Sequence, residues 1–178
     1  MVTWRLADSM PATVLTQSKS EREAWIRTHP KPWDTKTAEE FHRHFSERND
    51  HWLDKGHGSC LLRNKEIATV VADAILHFDG QRYEIDSFVV MPNHVHVLFR
   101  LLPPHRLEDV VKSWKGYSAR EINRRTRQGG PLWQEDYWDR LIRDEDHFLR
   151  CRDYILENPA KAKLRDGEFV LFSKNNTG

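Results

Sequence analysis

The sequence predicts an α+β sandwich, in which an antiparallel β-sheet carries helices packed on one face and a helical segment is inserted near the N-terminus. Three observations carry this expectation. Strand-like patterns recur at residues 2–6, 82–90, 94–99 and 169–172, with side chains alternating between two faces. Between them lie stretches whose apolar residues follow helical spacing, at 67, 70, 71, 74, 75 and 78 and again at 107, 110, 111, 114, 117 and 122. The link Met91-Pro92-Asn93 between two strand patterns suits antiparallel neighbours or a bulged turn.

The totals set bounds. A chain of 178 residues reads as one domain over 1–178, long enough to bury a core. Charged residues make up 31%, but seven Trp and eight Phe need a core or a ligand to cover them, which argues against disorder. There is no run of 18 apolar residues and no signal-peptide core, so the expectation is a soluble protein without membrane attachment. Cys60 and Cys151 lack metal-site spacing and fit a reducing cytoplasm. With a net charge of +1, any affinity for nucleic acid must come from a local basic patch.

Taken in order, residues 2–6 form a short strand that Ser9-Met10-Pro11 breaks. Ser20-Glu21-Arg22-Glu23 marks a helix over 18–28, ended by Pro30 and Pro32. A second helix spans 35–53, with Phe41, Phe45 and Trp52 on one face; its His42, His44 and His51 read as solvated side chains of a charged helix. Residues 59–62 read as extended. Asn64 caps a helix over 65–78, and Asp79-Gly80 turns into the strand over 82–90. The helix over 107–127 carries seven Lys or Arg between residues 105 and 127 against three acids. Gln128-Gly129-Gly130-Pro131 is a loop, and 132–142 is extended and aromatic. Asp144 caps a final helix from 145 to about 157 that Pro159 ends; a last strand covers 169–172, and the end from Lys174 is frayed.

The chemistry centres on His94 and His96. Two residues apart on a strand, their imidazoles share a face, while Val95, Val97 and Phe99 point to the other. Such a pair is half of a metal site or simply two hydrogen-bonded strand histidines; with ten histidines in the chain, a His-x-His arises by chance about half the time. The last helix adds Tyr154 and Asn158, four residues apart and one turn from each other, with His147 and Cys151 extending the stripe. An amide oxygen from Asn158 completes a set of two imidazoles and one neutral oxygen, which leaves positions open for a hard divalent ion and a phosphate oxygen. Tyr154 is then placed to attack that phosphate; its alternative is a core aromatic with a wet tip. Tyr117, on the basic helix in Trp114-Lys115-Gly116-Tyr117-Ser118, is the rival nucleophile, although it falls on the apolar stripe.

Three stretches in this order, Met91-Pro92-Asn93-His94-Val95-His96-Val97-Leu98, Leu132-Trp133-Gln134 with Tyr137, and Arg152-Asp153-Tyr154-Ile155-Leu156-Glu157-Asn158-Pro159-Ala160-Lys161, resemble the REP-associated tyrosine transposases. These are relatives of the single-tyrosine insertion-sequence (IS200-like) transposases that carry a His-hydrophobic-His (HUH) motif. The likeness covers about residues 60–165, with a weaker echo at Thr3-Trp4-Arg5-Leu6-Ala7-Asp8-Ser9. It implies a ferredoxin-like fold, a divalent metal (Mg²⁺ or Mn²⁺), binding of single-stranded or hairpin DNA, and strand cleavage by a tyrosine. Transferred by motif, His94 and His96 match the histidine pair and Tyr154 the nucleophile. Asn158 stands where the insertion-sequence relatives place Gln, an arm one methylene longer. Residues 17–57 have no counterpart in the minimal fold and read as an inserted helical segment.

Lys112, Lys115, Arg120, Arg124 and Arg125 are the expected phosphate contacts, with a solvated helix face as their alternative. Trp133 and Tyr137 are expected to stack on unpaired bases, whereas Trp138 reads as core. The resemblance implies a bacterial cytoplasmic protein at the nucleoid, working as a homodimer or a monomer. A catalytically silent DNA-binding protein is the rival function. A histidine-triad nucleotide hydrolase fails, because it requires a third His at position 98, which is Leu.

Overall fold

The computed structural model describes residues 1–46, 48, 52–53 and 55–174. Of the three histidines placed on the second helix, His51 lies outside these residues, as does all but Lys174 of the frayed end expected from that residue. Five strands, β1 (Val2–Arg5), β2 (Tyr83–Val90), β3 (His94–Leu101), β4 (Trp138–Asp139) and β5 (Val170–Ser173), form one sheet in the order β4-β1-β3-β2-β5. Every pairing is antiparallel. The helices are α1 (Ala12–Thr28), α2 (Thr35–Phe41), α3 (Lys65–Leu76), α4 (Leu107–Thr126) and α5 (Glu145–Lys161). Among the described residues no helix is long and apolar enough to cross a membrane.

The expected α+β class is met, and the period-two pattern sets how the layers stack. Val2 and Trp4 of β1, Phe88 and Val90 of β2, and Val95 and Val97 of β3 face a core shared with Ile67, Val71 and Ile75 of α3 and Val110, Val111 and Trp114 of α4. Trp4 is stacked 5.8 Å from Trp114, and Trp133 meets Trp4 edge-on at 6.1 Å. Tyr83 fastens this layer, because its buried hydroxyl donates to Ile75 O (2.8 Å) and accepts from Trp114 Nε1 (2.8 Å).

The expectation that helices share one face holds for α3 and α4, but α5 lies on the other. Cys151 and Ile155 of α5 pack with Val89 and Leu98, the opposite-parity residues of β2 and β3, and with Met91 just past the end of β2. Those strands are apolar on both faces, so one helix layer could not cover them.

Local boundaries moved for identifiable reasons. Helix α1 begins at Ala12 rather than 18, because Pro11, at φ −58°, starts it where a missing N–H costs nothing. Helix α2 ends at Phe41 and passes into a wide turn over His42–Ser46. Phe41 and Phe45 are buried there and meet Trp25 and Trp33, so α1 and α2 close on an aromatic cluster of their own. Leu61–Arg63 is a 3₁₀ turn, not an extended segment. The expected caps form: Asn64 accepts from the Glu66 and Ile67 amides, and Asp144 from that of His147. Pro159 does not end α5, which runs on to Lys161, with Leu164 N bonded to Pro159 O beyond it. So near the C-terminus the ring forfeits only one helical bond, at Ile155 O.

Candidate active site

Alternation on β3 puts His94 and His96 on the α5 side of the sheet, and the register sets Thr3 beside His96 and Arg5 beside His94. Both imidazoles are buried, at 1% and 0% exposure, with ring centroids 4.8 Å apart. The hairpin tip that delivers them is itself held from three sides. Leu6 N donates to Asn93 O (2.8 Å), Leu62 N donates to Pro92 O (3.1 Å), and the Asn93 side chain donates to Leu53 O (3.1 Å) and His57 O (3.2 Å).

This last pair of bonds has a chemical consequence. The Asn93 amide nitrogen is committed to two carbonyls, so its Oδ1 is the atom facing His94 Nδ1 at 2.7 Å. The oxygen can only accept, hence Nδ1 carries the proton and Nε2 keeps a lone pair. His96 Nδ1 lies 2.7 Å from the Thr3 hydroxyl, which can accept from it in the same manner. Burial holds both rings neutral: it pushes His96 down to about 3, and with His96 as neighbour it pushes His94 well below its ordinary value.

Among the described residues, His94 Nε2, His96 Nε2 and Asn158 Oδ1 are buried with no hydrogen-bond partner. A buried polar atom left unbonded costs about 1–3 kcal/mol, so three acceptors in one layer need a common cause. Asn158 is 2% exposed on α5, one turn beyond Tyr154, whose ring lies edge-on to His96 at 5.2 Å. No group of three or more His, Cys, Asp or Glu able to hold a metal occurs among the described residues. Two imidazole nitrogens and one amide oxygen nonetheless form a donor set suited to a divalent ion with open positions.

The structure brings Tyr154 beside the histidines and does not bring Tyr117. Tyr117 is 50% exposed on α4, off the apolar stripe expected for it, and lines a separate 340 Å³ cavity with His77 and Arg120. The α4 cations divide as well. Lys115 is a strut: its ammonium donates to the carbonyls of Gln134, Glu135 and Asp136 at 2.7–3.3 Å, and burial lowers its pKa. Arg124 and Arg125 both pair with Glu121 at 2.7 Å. Trp133 is 6% exposed in the core, its Nε1 donating to Ser118 Oγ, so no base can stack on it without repacking. Tyr137 is half-buried against the same core.

Sequence reasoning missed Thr3, Arg5, Asn93 and Lys161, and it read Trp138, which is only half-buried, as core. Asn93 adjoins His94 in sequence, and that adjacency was a readable signal. Thr3 and Arg5 reach the site only through cross-strand register. Arg5 is 3% exposed, bonded to Asp136 (3.3 Å) and lying over the Trp138 ring (4.2 Å). Lys161 places its ammonium 5.6 Å from the Tyr154 ring centroid and pairs with Glu157 at 2.9 Å.

Residues 61–158, more than half of the chain, match the family model described as "Transposase IS200 like". A REP-associated tyrosine transposase of Escherichia coli K12 is 32% identical over 100 residues, covering 52% of this chain and 56% of that protein. The ISDra2 transposase TnpA of Deinococcus radiodurans is 34% identical over 79 residues, covering 40% and 56%. The chain thus spans about half the length of these curated relatives. A solved structure of a REP-associated tyrosine transposase bound to a REP hairpin shares 25% identity, covers 58% of this chain and 59% of that one, and superposes with a TM-score of 0.49.

Proposed function

The chain belongs to the IS200-like transposase family, and from that premise we propose that it binds single-stranded hairpin DNA and cuts and rejoins it through Tyr154. The observation that carries this reading is the set of three buried, unbonded acceptors, His94 Nε2, His96 Nε2 and Asn158 Oδ1, in the layer where Tyr154 meets His96. Those three atoms would hold Mg²⁺ or Mn²⁺, which when bound supplies a Lewis acid for a phosphate oxygen.

The remaining work belongs to the chain. Asn93 fixes the His94 imidazole with its Nε2 lone pair directed into the site, and the Thr3 hydroxyl, accepting from His96 Nδ1, does the same for His96. Tyr154 Oη attacks the phosphorus in line and the P–O3′ bond breaks. The phenol loses its proton, the departing 3′ oxygen gains one, and the 5′ phosphate remains on the tyrosine. One phosphoester replaces another, so a 3′-hydroxyl can reverse the attack with no external energy source. The Lys161 ammonium, paired with Glu157, lies 5.6 Å from the Tyr154 ring centroid and adds positive charge beside the reacting phosphate. On α4, Lys112 and Arg120, which form no salt bridge among the described residues, carry phosphate contacts to the hairpin.

The test is covalent. Incubation with hairpin DNA bearing single-stranded flanks and Mn²⁺ should give a denaturation-resistant protein–DNA adduct. Tyr154→Phe should abolish it and Tyr117→Phe should leave it. The reverse pattern would move the nucleophile to α4, and binding without any adduct would favour a catalytically silent DNA-binding protein.

A further inference from the structure

Helices α1 and α2 lie ahead of residues 61–158, the part of the chain that matches the family model. Between α1, α2, β4 and the start of α5 runs a cavity of 440 Å³, and a second of 290 Å³ continues it to Tyr154 and Thr3. The two share His42, Trp138, Asp139, Arg140, His147 and Arg150 and so form one trench ending at the nucleophile. Among the described residues its walls carry Arg22, Lys31, Arg43, Arg140, Arg143 and Arg150 against Glu39 and Asp139. That excess of four positive charges contrasts with a net +1 for the whole chain.

Among the described residues, none of these six cations is in a salt bridge, whereas the charges of Arg124 and Arg125 on α4 are spent on Glu121. Six like charges on one trench, outnumbering the carboxylates among the described residues, repel one another and favour a polyanion lying among them. The field reaches the two histidines of the trench: burial and then Arg140 push His42 down to about 4, and burial, Arg140 and Arg150 lower His147. Trp33 and Trp138 line the same walls. The volumes are those of small-ligand sites and suit one or two nucleotides of a strand at a time.

We propose that this trench is the channel for the single strand flanking the scissile phosphate, with the inserted segment α1–α2 as its outer wall. The proposal rests on the reading of Tyr154 as the nucleophile only for its end point; the strand-binding surface stands on its own charge and shape.

Binding of a fluorescent oligo-dT to the full chain, followed by anisotropy across a salt series, tests it. Each phosphate contact on a single strand contributes about 0.7 to the slope of log K against log salt. The triple variant Lys31→Gln, Arg43→Gln, Arg143→Gln removes only exposed side chains, and should lower the slope by about 2 and weaken low-salt binding at least tenfold. A control triple with the same charge change elsewhere, Lys65→Gln, Arg82→Gln, Arg106→Gln, should leave the slope within about half a unit. In the wild type, bound oligo-dT should also shield Lys31, but not Lys65, from amine acylation read by mass spectrometry. Equal slopes for the two triples, no binding of oligo-dT, or equal acylation of Lys31 with and without DNA would overturn the channel. An adduct with Tyr154 alongside equal slopes would sink the channel alone; a lowered slope without any adduct would sink the nucleophile alone.

Discussion

Replacing Asn93 by alanine removes three side-chain hydrogen bonds at one buried point: two donated to Leu53 O and His57 O, and one accepted from His94 Nδ1. The two carbonyls belong to Leu53 and His57, so the substitution loosens these residues from the hairpin tip. A hydrogen bond contributes about 1 kcal/mol net, and a buried group left without a partner costs about 1–3 kcal/mol. Because Asn93 is 1% exposed, His94 Nδ1–H is the group left most deeply orphaned, and the total loss should be about 3 kcal/mol. Domains have about 5–15 kcal/mol in all, so the variant should still fold. The second effect is chemical. Without its acceptor, His94 can turn or change tautomer, and loss of such an outer partner typically costs 10–100-fold in metal affinity. Asn93→Asp separates the two effects, since a carboxylate still accepts from Nδ1 but cannot donate to the carbonyls. Urea unfolding should show both variants destabilised, while Mn²⁺ titration by calorimetry should show a raised Kd for the alanine variant only. An alanine variant that folds and binds Mn²⁺ as tightly as wild type would refute the idea that Asn93 orients a ligand.

Two further outcomes follow from the same site. Asn158→Leu removes a buried acceptor without a partner; without metal it should be as stable as wild type or up to about 1 kcal/mol more so, while losing Mn²⁺ binding. A less stable variant with intact Mn²⁺ affinity would place Asn158 outside the ligand set. In chelator, stability should fall as pH drops from about 6.5, because His94, His96 and His42 are held neutral in the fold, with His96 at about 3 and His42 at about 4, whereas the unfolded chain protonates near 6.5. The unfolded state then binds more protons, so each histidine contributes a slope of up to about 1.4 kcal/mol per pH unit, fully restored above 6.5; solvent around the partly exposed His42 reduces its share. Urea midpoints that are flat between pH 7 and 5 would contradict this.

The parts of the fold legible in the sequence are those that local chemistry decides. The caps at Asn64 and Asp144 and the apolar stripes of α3 and α4 depend on neighbours within a turn, and so does the pairing of β2 with β3 across a short link. The same holds for His94 and His96 sharing a face. What escaped depends on distant chain. Trp133 looked like a stacking platform until Trp4, over a hundred residues away, closed on it. Lys115 looked like a phosphate contact until the 134–136 carbonyls converged on its ammonium. Thr3 meets His96 through sheet register alone. The trench cations are scattered from Arg22 to Arg150 and form no run in the sequence; only the packing of α1 and α2 against β4 collects them.

The most direct test of the central claim is to locate the covalent bond. The wild-type protein is trapped with flanked hairpin DNA and Mn²⁺, digested with nuclease and protease, and its peptides are sequenced by mass spectrometry. A nucleotide joined through its 5′ phosphate to Tyr154 is the predicted result. The same modification on Tyr117, or on neither residue while DNA is cut, would contradict the account.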